Sequence, residues 1–542
     1  MRKSFTLLLT LLMTLGFLAL SAQEREISRP VQPLQGPNSI LYGTDVYLNY
    51  NASQNQRNAT VCVADNGWIY AAYSYYDVSG DISYWELLRS VDDGASWTLI
   101  NSASLTSGTY QSVNLELSGT NASDIIVYLA RVYHDGTTSY LRVSEYDANG
   151  SFIRNLIAQT LTMPEQYLDV SIATDFKYPA FGASPFTVGV AYSHTSAVSD
   201  YIDVQISGDG GVTISDNLNV TTTGAYVRGV SIAYGRCSNY FNGRYFVTWE
   251  ETDYGAPTGK IYVAHTNPYY NSAFTAGFEL DNLVGSADGY CFDPIMGTQF
   301  NNTDNDAADF TAIVLLNRDY MGLGTDYDVI AMYNKDPVNT DNWIRSDIAN
   351  STDMDFEGDI NFDPVYNNFL VTWCALTEQK LKYVVTNQNT PDSWLLINGG
   401  YNDAPNLAFP YPKVEINSLY QMVAHVWIGE GPGSYGQAMF DAEWSTVGIP
   451  PVANHNSDLD LKVFPNPATC TATLTFNLPE AAPVRVSLFN VSGQAVKTLP
   501  EVKMTAGLHT LSLEVSDLPA GTYNCQFSSG TNHSSVKVVV LH

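Results

Sequence analysis

Basic residues are scarce in this chain of 542 residues. Only 25 Lys and Arg stand against 55 Asp and Glu, a formal charge of −30. A field of that sign repels nucleic acid and anionic membranes, which excludes a nucleic-acid partner. It suits extracellular solubility and is compatible with Ca²⁺. Cysteines are few as well: Cys62, Cys237, Cys291, Cys374, Cys470 and Cys525. Six in a chain this long do not make a disulfide scaffold. No CxxC, HExxH or paired Cys/His spacing occurs, which argues against a zinc site. No motif calls for a cofactor, and Ca²⁺ is the one metal the acidic loops suit. Long helical periodicity is nearly absent. Beyond the first 22 residues no apolar run is long enough to span a bilayer, so the mature chain has no transmembrane segment.

The first 22 residues differ from the rest. Arg2 and Lys3 precede an almost unbroken apolar run from Phe5 to Leu20, and Ser21 and Ala22 follow. This is the pattern of a secretory signal peptide. A permanent anchor is the alternative, but the run is short of the roughly 20 residues a spanning helix needs. Cleavage after Ala22 removes Arg2 and Lys3 and leaves 23 basic against 55 acidic residues, or −32.

What fills the chain instead is short alternating runs of Val, Ile, Tyr and Thr broken by Gly, Asn and Asp, the signature of an all-β protein. The runs repeat. "VCVA" at 61–64, "VSIA" at 170–173 and "VSIA" at 230–233 each lead into a second apolar run. Seven such second runs, anchored at Tyr73, Arg131, Tyr192, Trp249, Leu316, Trp373 and Trp427, lie 58, 61, 57, 67, 57 and 54 residues apart. A third run follows in each unit, and a weaker fourth in most. Four short antiparallel strands repeated in this way make a β-propeller blade. The expectation is a seven-bladed β-propeller over 23–446, with six blades as the second choice. The seventh unit lacks a fourth strand of its own, and "DVYLNY" at 45–50 is placed to supply it and remove an open edge.

Ser90–Trp97 reads "SVDDGASW" and sits between the third and fourth runs of the first unit. Ser90, Asp92, Gly94 and Trp97 resemble the Asp box (BNR repeat) of sialidases and related propellers. "SGDGGVTI" at 207–214 is a weaker copy in the third unit, and Trp343 and Trp394 end eroded ones. The resemblance implies a structural turn at the outer rim. Asp92 accepts backbone N–H bonds there, Gly94 takes φ > 0 and Trp97 packs on its own blade.

From Asp458 the rhythm changes. Pro465, Asn466 and Pro467, then Gly493, then Gly521 and Tyr523, then Lys537 before the last apolar run closely resemble the C-terminal sorting domain of type IX secretion cargo. The resemblance covers about 80 residues. It implies a small β-sandwich, the type IX secretion machinery as a partner, and a secreted or outer-surface location on a Gram-negative bacterium. Residues 447–457, including "GIPPVANHN", read as an exposed linker. Cys470 and Cys525 share this domain and are candidates for a disulfide, whereas Cys62, between Val61 and Val63, is expected to be a buried free thiol.

In a propeller, loops between second and third strands share one face with the channel mouth. Here they carry Asp77, His134, Asp135, Glu250, Glu251, Arg318, Asp319 and Glu378, with tyrosines among them. Carboxylates that accept hydroxyl protons and rings that stack on apolar sugar faces suit a neutral glycan. Adjacent strand residues such as Glu250 and Glu251 point to opposite faces. The arginine triad and Tyr/Glu pair of sialidases are not marked by a motif; Arg57, Arg131, Arg228 and Arg318 are the arginines within range. "NNTDNDAAD" at 301–309 lacks the Gly and distant Glu of an EF-hand and reads as a polar loop. The sequence thus points to a secreted binding or adhesion protein for a glycan or protein ligand. The alternative is a glycoside hydrolase, sialidase-like or other, using carboxylates at the mouth; a structural component of a surface assembly is a third class.

Overall fold

The structure, a computed structural model, describes residues 45–444 and 462–540 apart from short internal stretches, of which 301–309, 281–288, 178–184 and 253–258 are the longest. The signal segment, the linker 447–457, the loop at 301–309, the turn Pro465–Pro467 and Gly493 lie outside the described residues. Every described element is a β-strand, and no described helix is long and apolar enough to cross a membrane.

Between 45 and 444 the strands form seven four-stranded antiparallel sheets, numbered one to seven by their first inner residue. In sheets one to six the four strands follow one another in chain order. Sheet one, for example, runs Gln54–Val63, Ile69–Asp77, Ile82–Ser90 and Thr98–Leu105. The first strand of each sheet is innermost. These are Gln54–Val63, Thr109–Ser118, Gln166–Thr174, Tyr226–Gly235, Gly289–Thr298, Asp355–Asp363 and Lys413–Asn417. Each touches the next, and the last touches the first, so they enclose a central channel. This is a propeller-like ring.

The second strands are the most apolar because neighbouring sheets cover both of their faces. Ile69–Tyr73, Val127–Val132 and Met422–Trp427 are buried at every position. Seven apolar clusters result, each shared by two adjacent sheets. Outer strands, with one neighbour and an open edge, keep the looser pattern of Phe152–Thr162.

An innermost strand has no partner on its channel side, so its edge must be satisfied otherwise. Side chains from neighbouring inner strands do this at one level around the ring. Cys62 Sγ donates to Leu115 O at 3.3 Å, Asn114 Nδ2 to Val170 O at 2.6 Å, and Asn361 Nδ2 to Val414 O at 3.4 Å. Ser171 Oγ accepts from Ile232 N at 3.2 Å and Ser231 Oγ from Met296 N at 3.0 Å. Asn417 Nδ2 donates to Val63 O at 2.9 Å and links sheet seven to sheet one. Between sheets five and six the contact is apolar, with Gly297 packed against Ile360.

Closure uses the N-terminal segment. Val46–Tyr47 is the fourth strand of sheet seven, with Val46 opposite Phe440 and Tyr47 opposite Met439. Gln56 fastens the seam, donating to Asn49 O at 2.8 Å and accepting from Ala438 N at 2.6 Å. Asn49 Nδ2 reaches buried Glu86 at 2.9 Å, and Tyr73 OH also donates to Glu86.

The Ser90–Trp97 turn is held by its own side chains. Ser90 Oγ accepts from Gly94 N at 2.8 Å and donates to Asp92 Oδ1 at 2.8 Å, and Asp92 Oδ1 accepts from Ser96 N at 2.9 Å. The turn at 207–214 has the same bonds, with Ser207 accepting from Gly211 N at 2.9 Å and Asp209 from Thr213 N at 2.8 Å. Gly94 has φ +87°, and a Cβ there would meet the Phe440 ring. Trp97 departs from the expected packing. It is half-buried against Phe440 of sheet seven, ring centroids 5.0 Å apart, so it spans two sheets and does not stay within its own. The departure follows from the ring: the turn overhangs the cleft between sheets.

The C-terminal residues form a three-stranded sheet built on Thr471–Leu478 and a five-stranded sheet built on Ala482–Phe489 and Gly521–Ser529. Leu474, Phe476, Val486, Leu488, Phe527 and Val538, from both sheets, share one apolar cluster. Tyr523 is buried and its OH donates to Pro519 O at 2.6 Å. Gly521 opens the strand, opposite Val540, and Lys537 lies opposite Asn524. Cys525 is a buried free thiol, and its candidate disulfide partner Cys470 lies outside the described residues; Cys62 is likewise a buried free thiol.

The seam between sheets one and seven yields a test. Phe440, 1 % exposed, should cost about 3–5 kcal/mol when changed to Ala, and half-buried Trp97→Ala about 2–3 kcal/mol. Urea unfolding of the mature protein, read by tryptophan fluorescence, should rank them in that order.

Candidate functional site

The channel enclosed by the inner strands has a volume of about 440 Å³, within the range of ligand sites. Antiparallel pairing fixes which hairpins surround its mouth. Gln54 lies opposite Asp77, and Asp77 opposite Ile82, so the start of an inner strand and the second-to-third hairpin share one face.

Near that mouth the inner strands are irregular at matching places. β-Bulges interrupt six of them, at Arg57/Thr60, Tyr110/Ser112, Tyr167/Asp169, Arg228/Ser231, Phe292/Ile295 and Phe356/Asp359. A bulge re-aims side chains. Asn58, Asp293 and Glu357 adopt φ of +55°, +47° and +57° there, and Tyr411, just before the seventh inner strand, +41°. Left-handed backbone at residues other than glycine costs roughly 1–3 kcal/mol each and concentrates at functional sites.

The bulges gather acids and a few bases. Glu250 is fully buried and meets Arg228 Nη2 at 2.7 Å; its other oxygen accepts from Asp293 N at 3.3 Å. Asp359 accepts from Val414 N at 2.9 Å and meets Lys413 Nζ at 3.2 Å. Glu357 accepts from Tyr411 N at 3.0 Å, and its own N–H donates to Asn317 Oδ1 at 3.0 Å. Burial pushes the Glu357 carboxyl up to about 8, with Asp293 adding to the shift, and the Asp169 carboxyl up to about 6. Asp293 is exposed on a bulged inner strand yet surrounded by protein, which raises it too, against Arg228 and Lys413. Farther along lies a second group. Glu415 accepts from Asn361 Nδ2 at 2.8 Å and Glu116 from Leu117 N at 2.8 Å. Burial lifts them to about 8 and about 7 respectively, and Lys177 is the nearby base.

Of the residues singled out from sequence, Glu250 joins this cluster directly. Asp77 ends a second strand at the mouth face. His134 Nε2 lies 2.9 Å from Gln111, which lines the channel. Asp135 closes its own turn, accepting from Thr137 N at 3.0 Å, Thr138 N at 2.9 Å and Tyr140 OH at 2.8 Å; the Thr137 donors first of all hold its carboxyl well below the usual range. Glu251 faces away from Glu250, accepting from Trp249 Nε1 at 3.0 Å and Thr223 Oγ1 at 3.1 Å. Arg318 and Asp319 are buried in sheet five. Glu378 is exposed and meets Lys382 at 2.5 Å. Arg131 is committed elsewhere, with its guanidinium 4.5 Å from the Trp85 ring centre and 2.5 Å from Ser144 Oγ. Among the described residues no three His, Cys, Asp or Glu are grouped to hold a metal ion.

Reasoning from loops missed Asp169, Asp293, Glu357, Asp359, Glu116 and Glu415, because all lie on inner strands. Their signal was an acid embedded in an apolar run that leads a repeat, as in "LDVSIA", "FDPIMG", "FEGDINF" and "KVEIN".

Residues 462–541 match the family described as a secretion system C-terminal sorting domain. Through that domain the protein uses the type IX secretion machinery and reaches the outer cell surface, or is secreted, in a Gram-negative bacterium. No curated protein matches the chain. Similar solved structures include an α-L-arabinofuranosidase from Fusarium graminearum, 13% identical over 74% of this chain and 97% of that one, TM-score 0.41. A protein of unknown function from Dyadobacter fermentans is 17% identical over 73% of this chain and 97% of that one, TM-score 0.40. An ulvan lyase is 9% identical over 74% of this chain and 96% of that one, TM-score 0.44.

The raised carboxyls set the pH response. Unfolded, they release protons near pH 4; folded, Asp169, Glu116, Glu357 and Glu415 keep theirs to about 6, 7, 8 and 8. Between those limits the native state binds more protons than the unfolded one, so stability falls as pH rises. The melting temperature should drop between pH 5 and pH 8, and Glu415→Gln should flatten the drop. A melting temperature that rises over this interval contradicts the placement of these groups.

Proposed function

We propose that the seven sheets are the blades of a seven-bladed propeller of the Asp-box, sialidase-like group, joined to a small C-terminal β-sandwich, and that the exported protein binds a neutral glycan at the channel mouth without cleaving it. The observation that carries this reading is the mouth itself: carboxyls on bulged inner strands, with Asn58, Gln111 and Tyr411 beside them, Arg228 and Lys413 held by Glu250 and Asp359, and exposed Arg57 near Tyr411 as a single further cation. Such a surface offers acceptors to sugar hydroxyls and a ring to a sugar face. It offers no arginine cluster for an anionic sugar. Arg131 lies under Trp85, Arg228 is paired, and Arg318 sits opposite Asp328 across a strand pair.

A hydrolase is the second reading. Burial raises the Glu357 carboxyl to about 8, toward the protonated form a general acid needs, and glycoside hydrolysis pairs such a group with an ionised carboxylate.

A glycan array probed with the purified mature protein should show binding to neutral glycans, weakened at least tenfold by Asp293→Asn with the melting temperature unchanged. A sialoside should not be turned over. Turnover of a neutral glycan abolished by Glu357→Gln would establish the hydrolase, and sialoside turnover would overturn the binding reading in favour of a sialidase-like hydrolase.

A further inference from the structure

Outside the channel, two neighbouring carboxylates each keep a buried oxygen with no hydrogen-bond partner among the described residues. Asp326 and Asp328 flank Tyr327 at the start of the third strand of sheet five, Tyr327–Asn334. Side chains two apart on a strand share a face. Asp328 is 3 % exposed, and its Oδ1 has no hydrogen-bond partner. Asp326 Oδ1 is buried and unpartnered too. A buried carboxylate oxygen with nothing to accept from is expensive, and proteins satisfy such groups with a proton or a cation.

The surrounding charges leave room for one. Arg318 lies directly opposite Asp328. Asp347 is served by Arg345 Nε at 2.5 Å and Asn350 Nδ2 at 2.9 Å. Three acids therefore face two arginines, a net charge of −1 before any ion enters. Burial first, then Asp326, raises the Asp328 carboxyl to about 6.

We propose that Asp326 and Asp328 form a Ca²⁺ site, separate from the glycan mouth. Ca²⁺ takes six to eight oxygens and accepts carbonyls and water beside carboxylates. Two carboxylates make a weak site, with a dissociation constant on the order of 10⁻⁴–10⁻³ M, as in extracellular modules. That suits an exported protein. Binding here steadies the mouth, since the Tyr327 ring packs edge-on against Phe292 and Phe356 of two bulged inner strands, at 5.5 and 5.3 Å between centroids.

Tb³⁺ in place of Ca²⁺ gives a direct readout, because Tyr327 lies between the two ligands and sensitises its emission. Tyrosine-excited Tb³⁺ emission should titrate with the mature protein at pH 7.5 and be displaced by CaCl₂. Asp326→Asn and Asp328→Asn should each weaken it at least tenfold. Asp326 is only partly buried, so its variant folds even where Asp328→Asn is compromised, and thermal melting checks both. CaCl₂ at 10 mM (about ten times the weakest expected constant) should raise the melting temperature of the unmodified protein and not of Asp326→Asn. Emission that is absent, or unchanged in Asp326→Asn, overturns the proposal whatever the glycan array shows.

Discussion

The ring stands or falls on the channel-side edge of seven inner strands. A sheet edge presents unpaired N–H and C=O groups, and in a closed ring seven such edges converge with no eighth element to cover them. Short side chains solve this at one level, each reaching from one inner strand to the next strand's backbone: Cys62, Asn114, Ser171, Ser231, Asn361 and Asn417. The seam between first and last sheets adds Val46–Tyr47 and the Gln56 bonds.

The same constraint produces the site. Where the girdle ends, toward the mouth, the strands bulge and four residues other than glycine turn left-handed. Several of the polar groups there are acids walled by protein. Desolvation then outweighs the few bases present: Arg228 and Lys413 hold Glu250 and Asp359 at contact distance, yet burial still raises Glu250, and it raises Asp169, Asp293 and Glu357 as well. Raised carboxyls hold their protons to higher pH than free ones, so the channel is less negative than its carboxyl count implies. A mouth of that kind can both donate to and accept from a hydroxyl-rich ligand.

Much of the architecture was legible in the sequence. The second strand of each sheet is covered on both faces, so it reads as a continuous apolar run, and seven such runs at near-constant spacing mark seven sheets. "DVYLNY" was legible as a closing strand because the last repeat was one strand short. The C-terminal motifs were legible because several recur in order. The inner strands were not. Their side chains bridge to neighbours across the ring, a relation with no signature in local periodicity, so Asn114 and Asn361 looked like ordinary strand polar residues. The bulges were hidden for the same reason, and attention went to loop acids such as Asp135 and Glu378, which serve their own turn and a lysine. Trp97 was misplaced because the cleft it fills belongs to residues more than 300 positions away.

The central claim is that ligand meets the bulged ends of the inner strands. Hydrogen–deuterium exchange with and without the strongest-binding array glycan tests it most directly. Protection is predicted in peptides covering 55–60, 109–113, 166–170, 226–231, 290–295 and 355–359, with the turns at 90–97 and 207–214 unchanged. Protection confined to those outer turns, with the inner strands unaffected, would contradict it.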